Sequence, residues 1–246
     1  ARFYQQQDKL DLALADANAA AALLPDDAAT LLARARLYAL KNDPQPALAD
    51  LDKLLTIDAN NVEARVLRAR IYSGQQLNEQ ALNELNAAVT IQPNDAASFK
   101  ARAALLRQLG ASADATADLE RARALEPGNI DLALQQVALL KEQKRFADAL
   151  AIYRAILPSA PDPAPLYLDA GHMRYAMRQY RRALANYALA AELKPDDGAA
   201  YYGIGLAQRK LGDFRAAKQA FKTYLRLNST ATERAELETW IAKWGG

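Results

Sequence analysis

Cysteine is missing from this chain and histidine occurs once, at His172. Without thiols there is no disulfide, no thiolate metal site and no cysteine nucleophile. One imidazole cannot supply an HExxH pair, and no glycine-rich phosphate loop interrupts the sequence, which has 10 glycines in 246 residues. Aromatics are scarce as well, at 7% against a hydrophobic share of 51%. Much of the difference is alanine, the best helix former, so the composition leans all-α. Neither sign of charge dominates, with 31 basic and 29 acidic residues. That balance argues against a general nucleic-acid binder, which carries a clearly basic domain. No apolar run approaches the roughly 18–20 residues of a membrane span. The lack of cysteine fits a reducing cytosol and an envelope protein equally, so the compartment stays open between cytoplasm and bacterial periplasm or envelope. Together these absences point away from catalysis: no catalytic set, cofactor or metal site is assigned.

What the chain does have is a period. Pro93, Pro127, Pro161 and Pro195 are each 34 residues apart, and Pro25 lies two periods before Pro93. Ala13, Ala47, Ala81, Ala115, Ala149, Ala183 and Ala217 form an all-alanine column at the same spacing. A second column is also small: Ala35, Ala69, Ala103, Val137, Gly171 and Gly205. A fixed period of this length marks a solenoid, and small residues recurring at helical positions imply close approach of two helix backbones. The clearest copy runs from Ala164 to Asp197, with helices expected over Tyr167–Met177 and Arg181–Leu193 and the turn Arg178-Gln179 between them. So short a turn makes the helices antiparallel neighbours. Pro-Asp-Asp or Pro-Asn-Asp closes a unit and supplies the N-cap of the next.

In period, small columns and terminal prolines the chain resembles the tetratricopeptide repeat family over almost its whole length. A strict 34 separates it from the pentatricopeptide repeats. The resemblance implies a right-handed superhelical solenoid of antiparallel helix pairs with a C-terminal capping helix. The array is expected over 1–231, as a truncated first repeat 1–27 and six full repeats 28–61, 62–95, 96–129, 130–163, 164–197 and 198–231. The family's tryptophan column is degenerate (Leu31, Arg65, Phe99, Ala133, Tyr167, Tyr201), and Ala59 and Ser229 replace proline. The tail 232–246 sets Leu237, Trp240, Ile241 and Trp244 on one helix face. It reads as the capping helix, with docking of another protein as the alternative. Because the chain begins at Ala1 in mid-unit, without Met or signal peptide, it reads as a processed or excised fragment.

The repeats fall into two classes. Early repeats carry Tyr4, Tyr38 and Tyr72 on the first helix opposite Ala17, Leu51 and Leu85; later ones carry Tyr153, Tyr187 and Phe221 on the second. Volume exchange of this kind keeps an interior filled. Arg34, Arg68 and Arg102 accompany Asp50, Glu84 and Asp118, and both columns vanish together in later repeats, which predicts ion pairs within a repeat. Pro158 falls where a second helix should still be running, so that helix is expected to end early or kink. The unbroken period argues against a domain boundary there.

Family members line a concave face with their first helices and bind peptides on it. Carried over position by position, that face comprises Arg36, Val66, Arg70, Lys100, Arg107, Leu134, Lys141, Leu168, His172, Tyr175, Tyr202, Leu206, Arg209 and Lys210, with Glu63, Asp131 and Glu142 interspersed. It is basic early and aromatic late, which suits an acidic, partly apolar peptide. The carboxylate-clamp subtype is excluded, because Arg36 and Arg70 stand where it needs asparagine. The expected function is a non-enzymatic protein–protein interaction scaffold in a bacterial assembly, secretion or envelope complex. The alternatives are a self-assembling scaffold and the regulatory array of a larger enzyme. The expected partner is a protein or peptide, not nucleic acid.

Overall fold

The computed structural model describes residues 2–244, with side chains from Lys9 onward. Among them are fourteen α-helices and one 3-10 helix, and no strand. The chain forms two compact units, Ala1–Leu132 and Ala133–Gly246. The division falls inside α8 (Ile130–Glu142), near the changeover between the two classes of repeat.

In the first unit α1 (Arg2–Leu23) precedes three helix pairs: α2 (Ala28–Leu40) with α3 (Pro44–Ile57), α4 (Val62–Gly74) with α5 (Asn78–Ile91), and α6 (Ala96–Gln108) with α7 (Ser112–Leu125). The second unit continues with α9 (Phe146–Ile156), the 3-10 turn Leu157–Ser159, α10 (Ala164–Ala176), α11 (Tyr180–Leu193), α12 (Gly198–Leu211), α13 (Phe214–Leu227) and α14 (Arg234–Lys243). The first helices from α2 onward begin at 28, 62, 96, 130, 164 and 198, a constant step of 34.

The starts have a common cause. Asp27, Asn61, Asp95 and Asp197 precede first helices in extended backbone and accept a hydrogen bond from a first-turn amide. Hydrogen bonds from the Thr30 hydroxyl and amide hold the Asp27 carboxyl below the usual carboxylate range. The exception is α10, which begins at Ala164, three residues ahead of the start expected from sequence. There Pro163 occupies the cap and Asp162 accepts from the Ala164 amide.

The intra-repeat turns share a backbone device that composition conceals. Asn42, Gln76, Gly110, Lys144, Arg178 and Gly212 all have φ between 58° and 83°, and they recur every 34 residues. A left-handed residue reverses the chain in two or three positions, although only two of the six are glycine.

The pairs interlock through the alanine column. From Ala47 to Ala217 these residues are fully buried, leaving no room for a longer side chain. Tyr187 and Phe221 are the largest fully buried side chains of the later repeats, and Tyr153 is buried as well. The first-helix tyrosines Tyr38 and Tyr72 are half-buried, and Tyr4 lies outside the residues whose side chains are described. The helix containing Pro158 does end early: α9 has 11 residues where the other second helices have 14. At the C-terminal end α14 packs Leu237, Trp240 and Ile241 against α13, while Trp244 stacks on Phe214 at 4.4 Å.

Candidate functional site

In the first unit, α2 and α4 together with the start of α6 enclose a depression of ≈ 700 Å³. Val62, Val66, Leu67 and Ile71 form its apolar floor, and its charged lining is Arg36 and Arg70 together with Asp43, Glu63 and Asp95. Two sequence-predicted residues, Arg36 and Arg70, are thereby brought together. Arg36 pairs with Glu63 of the next repeat, whereas Arg70 makes no ion pair among the described residues. Lys100 pairs with Asp131 at 2.6 Å. Arg107 lies exposed in the last turn of α6.

In the second unit the predicted residues form a more apolar surface. Leu168 and Tyr175 pack beside Tyr187, and His172 meets the Tyr187 ring edge-on at 5.4 Å. Tyr202 leans on Tyr224 at 5.0 Å, and Arg209 lies over the rings of Phe221 and Trp240, at 5.9 and 6.0 Å. These side chains are half-buried, apart from the exposed His172, so they offer edges to a ligand while helping to pack their repeats. Although its edge reaches solvent, packing against Tyr187 and its neighbours strips water from part of the His172 imidazole and lowers its pKa from the ordinary value, with Asp169 opposing and Lys141 adding to the shift.

Lys141 is held by both Asp169 oxygens, at 2.5 and 2.6 Å, and the Tyr153 hydroxyl donates to the same carboxylate at 2.7 Å. Burial and that bond push the Tyr153 phenol far up, so it remains a donor. Sequence reasoning missed Asp169. Its signal was present, since Asp169 is the single acid in a column otherwise Ala33, Leu67, Ala101, Gln135 and Gly203. The wall is therefore less basic than its Lys and Arg content suggests: Arg36, Lys100 and Lys141 are each balanced by a carboxylate one repeat ahead.

The Arg–acid columns pair within repeats as expected. Arg34 donates to Asp50 from Nε and Nη2 at 2.8 and 2.6 Å, and Arg102 donates to Asp118 at 2.8 and 2.7 Å. Arg68 donates to Glu84 at 2.6 Å. Each arginine also reaches back one repeat with Nη1, Arg34 to Asn18, Arg68 to Asp52 and Arg102 to Asn86. The result is a ladder that ties successive repeats of the first unit together. Planar, multi-donor guanidinium suits this fork where lysine would not.

Two tetratricopeptide repeat models match the chain, at residues 39–105 and 198–230. A comparison with curated proteins finds no match. Among solved structures, the chain is similar to YrrB, described as a TPR protein with an unusual peptide-binding site, at 22% identity and TM-score 0.61, covering 76% of this chain and 96% of that one. It is similar to a tetratricopeptide repeat protein from Parabacteroides merdae at 18% identity and TM-score 0.56, covering 100% and 96%. A third neighbour is PilF of Pseudomonas aeruginosa, at 17% identity and TM-score 0.57, covering 86% and 96%. At these identities the likeness is one of fold, an all-α helical repeat.

Proposed function

We propose that this chain, a tetratricopeptide-repeat protein and hence a protein–protein interaction scaffold, works without catalysis and takes an acidic, partly apolar segment of a partner against its first helices. The carrying observation is the depression of ≈ 700 Å³ between α2, α4 and α6, with an apolar floor and Arg70 on its rim. An apolar floor supplies affinity through desolvation, and a cation that lacks an internal partner selects the sign of the ligand. The exposed Arg36–Glu63 pair fits the same reading. Such pairs are worth only about 0–1 kcal/mol, so an incoming carboxylate can share or replace the internal acid at little cost. Within the second unit, Leu168, Tyr175 and Tyr202 offer apolar edges of their own to a ligand. A place in a bacterial assembly, secretion or envelope complex is part of the same proposal; the neighbours from Parabacteroides merdae and Pseudomonas aeruginosa contribute only the occurrence of this fold in bacteria.

The test is affinity capture from a bacterial lysate with the whole chain as bait, followed by mass spectrometry. Wild type and Arg70→Glu are compared at low and high salt. Specific partners should be retained by wild type, lost with Arg70→Glu and weakened by salt. An identical set of partners on both baits would remove the first-helix face from the account.

A further inference from the structure

The ladder of the first unit pairs every arginine with acceptors, and one later repeat inverts that arrangement. Tyr38 donates its hydroxyl to Asn18 at 3.2 Å. Four periods of 34 residues onward, the same two positions are Arg174 and Arg154. The carboxylate column Asp50, Glu84 and Asp118 becomes Asn186, and the acids Asp114 and Asp148 are followed at the next period by Arg182. Around the fork position, which is Ala170 here, the Asn18 and Asp114 columns now hold arginine, and the carboxylate column, after Ile152, holds an amide with a single acceptor oxygen.

The consequence is visible in the hydrogen bonding. Arg174 Nε and Asn186 Nδ2 are buried with no partner among the described residues. Arg68 also leaves its Nε unbonded, but its two terminal nitrogens hold carboxylates, whereas Arg174 holds none. Burial and the positive charges of Arg182 and Arg154 all pull the Arg174 guanidinium below its usual value, and no carboxylate opposes them. Buried donors without acceptors are rare in native proteins, and those that persist call for a ligand or an ion.

We propose that Arg154 of α9, Arg174 of α10, and Arg182 and Asn186 of α11 form a binding site for a small soluble phosphate compound, outside the first-helix face. The same fold shows how it meets a carboxylate: one guanidinium per carboxylate, gripped by two nitrogens, as in Arg34–Asp50 and Arg102–Asp118. Three guanidinium groups and an amide exceed the charge and acceptor count of one carboxylate. A phosphate monoester, with about −1.5 to −2 charge and three acceptor oxygens, matches them. Arg154 and Arg182 are exposed, which leaves the site open to solute, while the half-buried Arg174 fixes its floor.

The experiment follows the Arg174 Nε–Hε resonance of the whole, ¹⁵N-labelled chain during titration with inorganic phosphate, against chloride at matched ionic strength. A saturable shift with phosphate and none with chloride is the expected result. Arg154→Gln and Arg182→Gln alter exposed side chains, keep the fold, and should each weaken binding by about tenfold. Equal, non-saturating shifts with both salts, or a phosphate shift that neither variant changes, overturns the site. Binding confined to vesicles containing phosphatidic acid, with no effect of free phosphate, also overturns it, since a surface of anionic headgroups would then be the ligand.

Discussion

A Cβ added to Gly171 would stand 2.4 Å from Cε1 of Tyr187. Gly203, on the following first helix, faces the same ring at 2.6 Å, and Gly205 faces Phe221 at 2.4 Å. The repeats with Tyr187 and Phe221 on the second helix thus have glycine on the first helix opposite, whereas the repeat with Tyr153 keeps Val137 in that column. In the earlier repeats Leu51 and Leu85 face Ala35 and Ala69. The small column and the ring column are one packing solution, complementary in volume.

Gly171→Ala is therefore expected to destabilise by roughly 1–3 kcal/mol through overpacking. Tyr187→Leu in the same chain should recover part of that loss, as measured by a double-mutant cycle in urea. Additive single effects would show that the ring is not what excludes the methyl group.

The forked arginines are expected to couple more strongly than exposed pairs. Arg68 and Glu84 are mostly shielded, at 16% and 14% exposed, whereas Lys53 and Asp26 are 44% and 76% exposed. The Lys53–Asp26 cycle should return about 0–1 kcal/mol, and the Arg68–Glu84 cycle more. Asp52→Ala should weaken the tie to the preceding repeat while the bond to Glu84 stays. Equal coupling in the two cycles would reduce the ladder to surface decoration.

The left-handed turn column makes opposite forecasts for two residues in the same role. Gln76→Gly relieves a non-glycine residue at φ 62° and should stabilise by about 1 kcal/mol. Gly110→Ala imposes the same penalty at φ 78° and should destabilise by about as much. A Cβ on Gly110 meets nothing within 4 Å, so the change isolates backbone strain. Shifts of equal sign in thermal melting would contradict it.

His172 gives a pH dependence of defined sign. Its folded value lies below the ordinary 6.5, so the unfolded chain takes up the proton first as pH falls. Stability present above 6.5 is then lost progressively below it. His172→Gln should flatten that decline down to about pH 5. A parallel decline in the variant would assign it to the carboxylates instead.

The repeat pairing, the aspartate and asparagine caps, the shortened helix before Pro158 and the Arg–acid partners were legible because each leaves a 34-residue trace in the letters. The back-reaching arm of the ladder left the same trace in Asn18, Asp52 and Asn86, but these residues lie in the preceding repeat and look like ordinary solvated positions. The left-handed turns escaped notice because Gln76, Lys144 and Arg178 carry no glycine signal. On the wall, sequence placed Lys141 but not the Asp169 and Tyr153 that hold it, since contacts between repeats depend on helix rotation rather than spacing. α10 begins in register with the other first helices, although Asp162 and Pro163 replace the usual capping aspartate or asparagine there.

Amide hydrogen–deuterium exchange of the chain alone and bound to a captured partner tests the scaffold reading most directly. Added protection is expected along the first helices, α2 and α4 with Arg36 and Arg70, and α10 and α12 with Tyr175 and Tyr202. The second helices α3, α5, α11 and α13 should exchange as they do in the free chain. Protection confined to those second helices, with α2, α4, α10 and α12 unchanged, would place the partner on the opposite face and contradict the account.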